Sequence, residues 1–455
     1  MNQRDNRTEP NEAPSGAAES ASPASFSDRD RRSALLIVFL VMFIDLIGFA
    51  LVLPLLPLYG KDFLDPLLPP ETTSQGRIFR GLVLGALMAS FSLMQFIFAP
   101  VWGRVSDRHG RRPFLILGLI GSVGSYALFG FASDWGTSDG RQLIGLIMLF
   151  AGRIGAGIAG ATVSTAQAVI ADCTTAEKRS HGMALIGAAF GIGFMFGPIL
   201  GGAARKFFPE FRGLPGYAAA SLSFTALLLT LIVMPETWRP GSMLRKRRWF
   251  NLDGIRLARA TPTVFVLITI YFLCTLAFGN FETTLAFLNR DVLKLRDEDN
   301  LWVFAYVGFI LTAAQVLYRA LSRRGMVETR YMFRGILLMS LGLGLIGVTV
   351  ASVHADVASR SWPATLVLGL CMTAAVVGFA FVNPSVTALI SRRTDPARQG
   401  EILGVNQSAN ALSRILGPVA AIGLYYQRPA HVLPYAFAVG LLTIVFFLSL
   451  RVRQA

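Results

Sequence analysis

The sequence predicts an all-α membrane protein with twelve transmembrane helices, and three observations carry that prediction. Hydrophobic residues make up 53% of the 455 residues, charged residues only 15%, and the mean hydropathy is +0.54. A soluble chain of this length would need far more polar surface to cover itself. Apolar runs of about 20 residues, enough to cross a bilayer as a helix, recur along the chain. The charged residues cluster in the connectors between these runs.

Each apolar run is predicted to be a helix because lipid offers the backbone no hydrogen bonds, so the segment must satisfy its own N–H and C=O groups. We number the runs spans 1 to 12. In chain order they cover residues 33–59, 80–103, 112–132, 142–170, 182–203, 217–234, 262–288, 301–320, 331–352, 362–390, 402–426 and 431–450.

The spans divide into two halves of six. Residues 1–30 are polar and lack an apolar period, so we expect a disordered cytoplasmic tail. Residues 31–234 hold spans 1–6 and residues 262–455 hold spans 7–12, each half predicting a six-helix bundle. Residues 235–261 between them carry a run of four basic side chains, Arg245, Lys246, Arg247 and Arg248, and predict a cytoplasmic linker.

The net charge of +15, from 42 basic and 27 acidic residues, is explained by membrane orientation. Basic residues collect on the cytoplasmic side of membrane proteins, and we count roughly 26 Lys and Arg on the predicted cytoplasmic segments against about 12 opposite. The charge therefore predicts contact with membrane lipid and no nucleic-acid partner. It also predicts that both termini lie in the cytoplasm, in a protein of the plasma (inner) membrane.

No pattern in the sequence indicates a cofactor or a metal. Cys173, Cys274 and Cys371 lie in or beside separate spans and lack metal-ligand spacing. The run GAGIAG at residues 155–160 has the form of a dinucleotide-binding motif, but no strand precedes it, so we interpret it as helix packing. No nucleotide-binding P-loop and no nucleophile, base or metal constellation is present, which argues against an ATP-driven pump and against an enzyme.

The connector between spans 2 and 3 reads GRVSDRHGRRP and packs five basic groups and one acid between two apolar runs. Gly103 permits a tight exit from span 2, and Gly110 permits a turn with positive φ. Asp107 can cap the next helix or bind a neighbouring arginine. On charge alone, the segment could equally be a positive-inside anchor and nothing more.

This connector resembles the signature loop of the major facilitator superfamily, whose pattern is G-x-x-x-D-R-x-G-R-R or Lys. The resemblance implies the major facilitator fold, with two pseudo-symmetric six-helix bundles. It also implies that Asp107, Arg108, Arg111 and Arg112 latch the halves together when the cytoplasmic side is shut. Asp172 lies at the start of the loop after span 4. It is expected either to pair with an arginine of the span 2–3 connector, as in relatives, or merely to face water. A weaker copy, RALSRRG at residues 319–325, follows span 8.

Span 5 contains GFMFGPILGG, in which Gly193, Gly197 and Gly201 recur every four residues, with Pro198 and Gly202 beside them. Small residues at this spacing let helices approach closely, and proline kinks the helix, so a packing seam alone would explain the run. The string is also similar to the antiporter motif of drug-exporting major facilitator proteins. That resemblance favours export.

Two charges are predicted to lie near the membrane midplane in the first half. Asp45 lies about 11 residues past the inner boundary of span 1, roughly 16 Å deep in a core of about 30 Å. Arg153 in span 4 lies at a similar depth, counted from the outer boundary. Buried charges in membranes are usually paired and functional, so we predict an Asp45–Arg153 pair, either coupling protons or purely structural. Exporters of this superfamily similarly carry an arginine in span 4.

In the second half, Glu282 lies toward the outer end of span 7 and Arg414 midway along span 11. Asn406, Asn410 and Arg414 follow each other at four-residue spacing, so they share one helical face that would point into a central cavity. The two asparagines could instead supply hydrogen bonds between helices, and Glu282 could be solvated.

Together these motifs resemble those of tetracycline-resistance efflux proteins and their animal relatives, although the exporters' acid in span 9 and histidine in span 8 have no counterpart here. The resemblance implies a proton-coupled exporter of small amphiphilic compounds, with cationic or zwitterionic cargo favoured by the acids. Uptake or facilitated diffusion of a metabolite, and a non-transporting scaffold or receptor, are the alternatives. One chain with two halves is sufficient for alternating access, so a monomer could perform it.

Overall fold

The computed structural model describes residues 27–454 with nine short gaps, and every regular element in the described part is helical. The gaps are residues 56–58, 71, 139, 175–178, 238–251, 323–326, 356–361, 395–398 and 428–430. The predicted tail therefore lies outside the described residues, apart from its last four positions.

A helix occupies each of the six predicted spans of the first half. Span 4 is interrupted by a short 3-10 segment, which the sequence did not predict. The helices of spans 1–6 are Asp28–Val52, Ser74–His109, Arg111–Trp135, Gln142–Ala159 continued by Gly160–Thr162 and Val163–Cys173, Arg179–Phe207, and Leu214–Val233.

The second half repeats the pattern, preceded by a nine-residue helix, Leu252–Ala260, inside the predicted linker. Spans 7–12 are the helices Pro262–Asp291, Asp297–Ser322, Glu328–Ala355, Trp362–Arg392, Gln399–Tyr425 and Leu433–Gln454. Most helices extend a few residues beyond their apolar runs, because a helix continues into the polar membrane interface where hydropathy no longer marks it.

Within the described residues, ten of the helices are long and apolar enough to cross a bilayer. Span 11 is not among them, because Asn406, Asn410 and Arg414 lower its hydropathy. The polar residues of span 11 are ones for which the sequence predicts function. In span 5, the apolar helical stretch found among the described residues is Gly191–Ala204, and the sequence carries no charged residue from 182 to 203.

The packing of the helices is repeated between the halves. Span 3 packs on spans 4 and 6, and span 9 correspondingly packs on spans 10 and 12. Span 1 packs on span 5, as span 7 does on span 11. Contacts between the halves are made mainly by span 2 with span 11 and by span 5 with span 8. This is the two-bundle architecture predicted from the sequence.

Several contacts between the halves lie at the end of the molecule opposite the Gly103–Pro113 connector. Asn300, at the start of span 8, donates a hydrogen bond from Nδ2 to the Pro54 carbonyl at the end of span 1 (3.4 Å). Asn289 donates from its own Nδ2 to Asn300 Oδ1 at 2.6 Å, and both side chains are buried. The polar chain Asn289–Asn300–Pro54 therefore joins spans 7, 8 and 1 at that end.

Candidate functional site

The interruption in span 4 lies at Gly160–Thr162, where the α-helix tightens into a 3-10 turn. Carbonyl groups next to it are bound by side chains of span 2. Gln95 donates from Nε2 to the Gly160 carbonyl (2.9 Å), and Trp102 donates from Nε1 to the Ile158 carbonyl (2.7 Å). A 3-10 stretch within a helix often marks a functional position. The polar side chains of span 2 thus satisfy backbone groups that the membrane would otherwise leave unpaired.

Asp45 of span 1 packs against this interruption and is 6% exposed. A Cβ atom built on Gly160 would lie 3.8 Å from the Asp45 Cγ atom, which is an ordinary van der Waals contact, so the carboxyl group lies directly beside the 3-10 turn. Ser122 of span 3 donates to Asp45 Oδ1 at 3.5 Å, a long hydrogen bond. Oδ2 is buried and has no hydrogen-bond partner among the described residues. The carboxyl group is therefore deeply buried and only weakly compensated.

Arg153 is 1% exposed, and its three guanidinium nitrogens have no hydrogen-bond partner in the part of the chain that the structure describes. Two aromatic rings lie beside the guanidinium group. The guanidinium carbon lies 4.8 Å from the Phe91 ring centroid and 5.9 Å from that of Phe49. Cation–π contacts of this kind offset part of the cost of burying the charge, and they leave the donor N–H groups available for a ligand.

The predicted Asp45–Arg153 ion pair is not formed in this structure. Neither group appears in an ion pair within 4.0 Å among the described residues, although both are buried in the same half. Tyr126 of span 3 interacts electrostatically with both of them. The sequence gives depth along a helix axis, but it does not give rotation about that axis, and equal depth therefore does not imply contact.

Arg414 of span 11 reaches the same aromatic group from the second half. Its guanidinium carbon lies 5.9 Å from the Phe49 centroid, the same distance as that of Arg153. Arg414 also interacts electrostatically with Glu282 and with Tyr271 of span 7. The Phe49 ring is therefore flanked by two guanidinium groups, Arg153 from the first half and Arg414 from the second. Glu282 interacts with Arg414.

The asparagines of span 11 have different environments. Asn406 is 3% exposed and its Oδ1 has no partner among the described residues. Asn410 is half-buried and donates from Nδ2 to Gln407 Oε1 of its own helix (3.4 Å). Asn280 of span 7 is fully buried, and neither of its amide atoms has a partner in the described part. Buried amides without partners are uncommon in folded proteins, and these two, Asn280 and Asn406, lie on spans 7 and 11, which pack on each other.

At the C-terminal end of span 4, Arg111 of span 3 is the centre of an ionic network. It donates from Nη1 to Asp107 and to Ser106 Oγ (3.0 Å), and from Nε to Asp172 Oδ2 (3.2 Å). Of the two possibilities for Asp107, arginine binding is therefore confirmed. Asp172 also binds an arginine of the connector. Burial raises the pKa of Asp172, and the Arg111 guanidinium counteracts part of that rise.

The capping group of span 3 is Glu236, which the sequence analysis missed. Its carboxylate accepts from the backbone N–H groups of Arg111 (2.8 Å) and Arg112 (3.2 Å), the first turn of span 3. An anion at a helix N-terminus is favoured by the helix dipole and by these unpaired donors. The available signal was that Glu236 is the first charged residue after span 6.

The connector itself is shorter than predicted. The helix of span 2 continues through Gly103 to His109, so the prediction of an exit from span 2 at Gly103 is wrong. The hydrophobic run ends there, but the helix does not. Gly110 alone separates the two helices, and its φ of 102° confirms the predicted positive-φ turn. A Cβ atom on Gly110 would lie 2.6 Å from Glu236 Oε2.

The connector contacts described above lie within the first half. Arg112 donates from Nη2 to the Leu231 carbonyl at the end of span 6 (2.6 Å), and Arg108 is exposed. The network thus joins spans 2, 3, 4 and 6. A latch between the halves stays a prediction for Asp107, Arg108, Arg111 and Arg112.

The glycines of the span 5 motif face two different helices. Cβ atoms built on Gly193 and Gly197 would lie 2.9 Å and 2.8 Å from the side chains of Leu46 and Ala50 in span 1, and Gly201 also faces that helix. One built on Gly202 would lie 2.6 Å from Leu301 of span 8, in the other half. Pro198 lies within the helix. The motif therefore lets span 5 pack closely on both neighbours.

The described residues contain no group of three His, Cys, Asp or Glu side chains that could hold a metal ion. What the fold and the site define is a membrane transport protein, in which two helical bundles meet around buried charges. The chain belongs to the Major Facilitator Superfamily, whose family model matches residues 38–418. Proteins of this family transport small molecules and are not enzymes, and this chain is accordingly an integral, multi-pass membrane transporter.

Relatives of known name cover almost the whole chain. The class E tetracycline resistance protein of Escherichia coli is 29% identical over 400 residues, 86% of this chain and 87% of that protein. Human major facilitator superfamily domain-containing protein 10 is 29% identical over 457 residues, 92% of each chain. The crystal structure of the human organic anion transporter MFSD10 (TETRAN) matches with a TM-score of 0.66 at 28% identity, covering 92% of this chain and 99% of that one.

A more distant solved structure shows the fold alone. The D-xylose-proton symporter matches with a TM-score of 0.73 at 16% identity, over 91% of this chain and 97% of that one. The resemblance to tetracycline-resistance proteins and to their animal relatives, predicted from the motifs, is confirmed by these matches.

Proposed function

We propose that this transporter exports small amphiphilic organic compounds in exchange for protons. The observation that carries the proposal is the weakly compensated Asp45 carboxyl group beside the interruption of span 4. Placing an ionised carboxylate in a membrane interior costs roughly 3 kcal/mol or more, so such a group is retained where its charge is used. A carboxyl that gains a proton when buried and loses it when wet would couple proton flow to movement of the halves.

Alternating access would be produced by rocking of residues 31–234 against residues 262–455 about a midplane site, with residues 235–261 as the cytoplasmic linker. The contacts between the halves support this arrangement. We place the protein in the plasma (inner) membrane with both termini in the cytoplasm. In this orientation the Asn289–Asn300–Pro54 chain lies on the outer side. The structure then corresponds to a state closed to the outside, and its opening would break the Asn300–Pro54 hydrogen bond.

The proposed substrate site lies around Phe49, where the halves face each other. Arg153 and Arg414 flank its ring, Glu282 interacts with Arg414, and Asn406 lies on the same helix as Arg414. An aromatic ring between charged groups suits an amphiphilic molecule, whose apolar part stacks while its polar part is bound by charge. The names of the relatives, tetracycline resistance proteins and an organic anion transporter, support compounds of this kind.

A second candidate, transport of organic anions, is favoured by the two arginines. Two guanidinium groups at 5.9 Å from one ring would bind a carboxylate or sulfonate next to an aromatic group. The acids predicted from the sequence favour cationic or zwitterionic cargo instead. A compound panel that contains all three charge classes separates these candidates.

The test is proton movement in liposomes that contain purified protein and an internal pH-sensitive dye. An imposed pH gradient should be dissipated by at least one amphiphile of the panel with the native protein, and not with Asp45→Asn. The matched control is Asp299→Asn, which removes an acid from an exposed pair with Arg296 (3.7 Å) and should behave as the native protein. Compound movement without proton movement would overturn the exchange and identify a facilitator. Binding without any movement would identify a receptor.

A further inference from the structure

A cavity of about 540 Å³ opens at the beginning of span 9, beside the ends of spans 10 and 12. It lies at the same membrane face as the Gly103–Pro113 connector, because spans 3 and 9 begin on the same side. None of the residues assigned to the transport site lines it. Its walls are Val327, Thr329, Arg330, Phe333, Arg334, Arg393 and Val452. We call it the span 9 cavity.

The span 9 cavity is strongly basic. It is lined by three arginines and by no acid. The acid next to it, Glu328, is buried and already held by Arg392 at 2.6 Å and 3.0 Å. Arg393 donates from Nη2 to the Val452 carbonyl (3.2 Å), while its buried Nη1 has no partner among the described residues. The positive charge of this cavity therefore favours the binding of an anion.

The same cavity leads directly onto the lipid-facing side of span 9. Arg330 and Arg334 are exposed and four residues apart. The same helical face continues with three leucines, of which Leu337 is 44% exposed, Leu341 57% and Leu345 43%. Apolar side chains exposed on a membrane helix face acyl chains. An anion held by the arginines would therefore sit at the head of an apolar stripe.

A cavity at the equivalent place in the first half makes the distinction clear. It has about 440 Å³, lies at the start of span 3, and its charged lining residues are Arg112 and Glu236. There the basic group is accompanied by an acid, and the acid is fixed by the first turn of span 3. The first-half cavity is balanced in charge, whereas the span 9 cavity carries an excess of three positive charges.

We propose that the span 9 cavity binds the phosphate headgroup of an anionic phospholipid. Arg330, Arg334 and Arg393 contact the phosphate oxygens, and the acyl chains lie along Leu337 and Leu341. Arginine suits this ligand because its planar donors match phosphate oxygens and its charge is weakly hydrated. Basic pockets between membrane helices on the cytoplasmic side recognise anionic headgroups in this way. The apolar stripe identifies a lipid as the source of the phosphate, because a soluble phosphate would gain nothing from it.

The experiment measures lipid binding to the delipidated full-length protein in detergent. Native mass spectrometry counts bound dioleoylphosphatidylglycerol, and the thermal unfolding midpoint is followed with that lipid, with dioleoylphosphatidylcholine and with glycerol 3-phosphate. We expect phosphatidylglycerol alone to raise the midpoint. Arg330→Gln/Arg334→Gln should weaken its apparent Kd roughly tenfold or more. The single variants, each on an exposed side chain, carry the test if the double variant does not purify folded.

The matched control is Arg29→Gln/Arg32→Gln, which removes the same charge from exposed positions at the start of span 1, on the same membrane face. It should bind phosphatidylglycerol as the native protein does. Equal loss in this control, or no loss in the span 9 variant, would overturn the site. A midpoint rise with glycerol 3-phosphate equal to that with phosphatidylglycerol would overturn a lipid as the source. Neither outcome depends on what the protein transports.

Discussion

The two halves place an ion pair at equivalent positions but reverse its charges. In the first half, Arg111 begins span 3 and binds Asp172 at the end of span 4 (3.2 Å). In the second, Glu328 begins span 9 and binds Arg392 at the end of span 10 (2.6 Å). A further arginine next to each pair donates to a carbonyl at the end of the last span of its half. What the halves share is therefore the geometry of a bond between helices, and not a sequence.

The difference lies in how many acids surround the arginines. Arg111 has Asp107 and Asp172 on its guanidinium and Glu236 on its backbone N–H. In the second half Glu328 supplies one acid, and the arginines of the span 9 cavity have none in their lining. The first half uses its basic residues to tie four helices together. The second half leaves part of its positive charge directed at the membrane.

The largest effect should follow from removing Arg111. Arg111→Ala leaves Asp107 and Asp172 partly buried without their common partner, which we expect to cost about 3 to 5 kcal/mol. The measurement is the free energy of unfolding in mixed micelles by denaturant titration. Arg392→Ala is the comparison in the second half, where a single acid, Glu328, loses its partner, so the loss should be smaller. Equal losses would show that the two networks do not differ in strength.

A smaller loss is expected for the turn between spans 2 and 3. Gly110→Ala introduces a Cβ at a φ of 102° and against Glu236, and should cost about 1 to 3 kcal/mol. Gly124→Ala, on the open side of span 3, is the control and should stabilise slightly, because nothing lies within 4 Å of the added Cβ. Gly325, the corresponding glycine of the second half, lies outside the described residues. A similar loss for Gly325→Ala would extend the equivalence of the halves to this turn.

The reversed pair can be tested by reversing it again. Glu328→Arg and Arg392→Glu should each destabilise the protein, because each places two like charges together. The double variant should recover about 1 kcal/mol of the sum, the range expected for a pair with one exposed partner. A double-mutant cycle on unfolding free energies measures this coupling. If the loss in the double variant equals the sum of the two single losses, the two side chains do not form a stabilising pair when their charges are exchanged.

The smallest effect is a pH dependence confined to the first half. The pKa of Asp172 is raised by burial, so the folded state holds its proton more strongly than the unfolded state does. Its contribution to stability is therefore greatest below the unfolded pKa and falls as pH rises through the folded pKa. As pH rises through that acidic range, the free energy of unfolding of the native protein should fall relative to that of Asp172→Asn. A difference that does not vary with pH would contradict the raised pKa.

Most of the fold can be predicted from the sequence because, in a membrane protein, a long apolar run has one dominant cause, namely that the segment crosses the lipid. Each of the twelve predicted spans contains a helix, since lipid leaves the backbone no other arrangement, although the α-helix of span 1 ends at Val52. The helix ends are less predictable, and the helix of span 2 passes through Gly103 into water, where hydropathy gives no signal. The 3-10 turn of span 4 was not predicted either, because it depends on Gln95 and Trp102 of another helix.

The site could be predicted as a set of residues but not as a set of contacts. Burial of Asp45 and Arg153 follows from their depth, whereas their separation depends on the rotation of two helices. Glu236 escaped notice because it is 125 residues from Arg111 in the chain and lies in what the sequence suggests is a linker. The Glu328–Arg392 pair was missed because a search for repeated motifs cannot find a repeat whose charges are exchanged.

The 3-10 turn in span 4 also determines which parts can move as units. The Ile158 and Gly160 carbonyls before the joint accept hydrogen bonds from span 2, and Ser164 Oγ after the joint donates to the Ala99 carbonyl of span 2 (2.7 Å). The two segments of span 4 therefore cannot swivel about each other without breaking a bond to span 2, which acts as a splint across the joint. Spans 2 and 4 should move as a single lever, and a displacement of the end that carries Asp107 and Asp172 would be transmitted to the region beside Asp45.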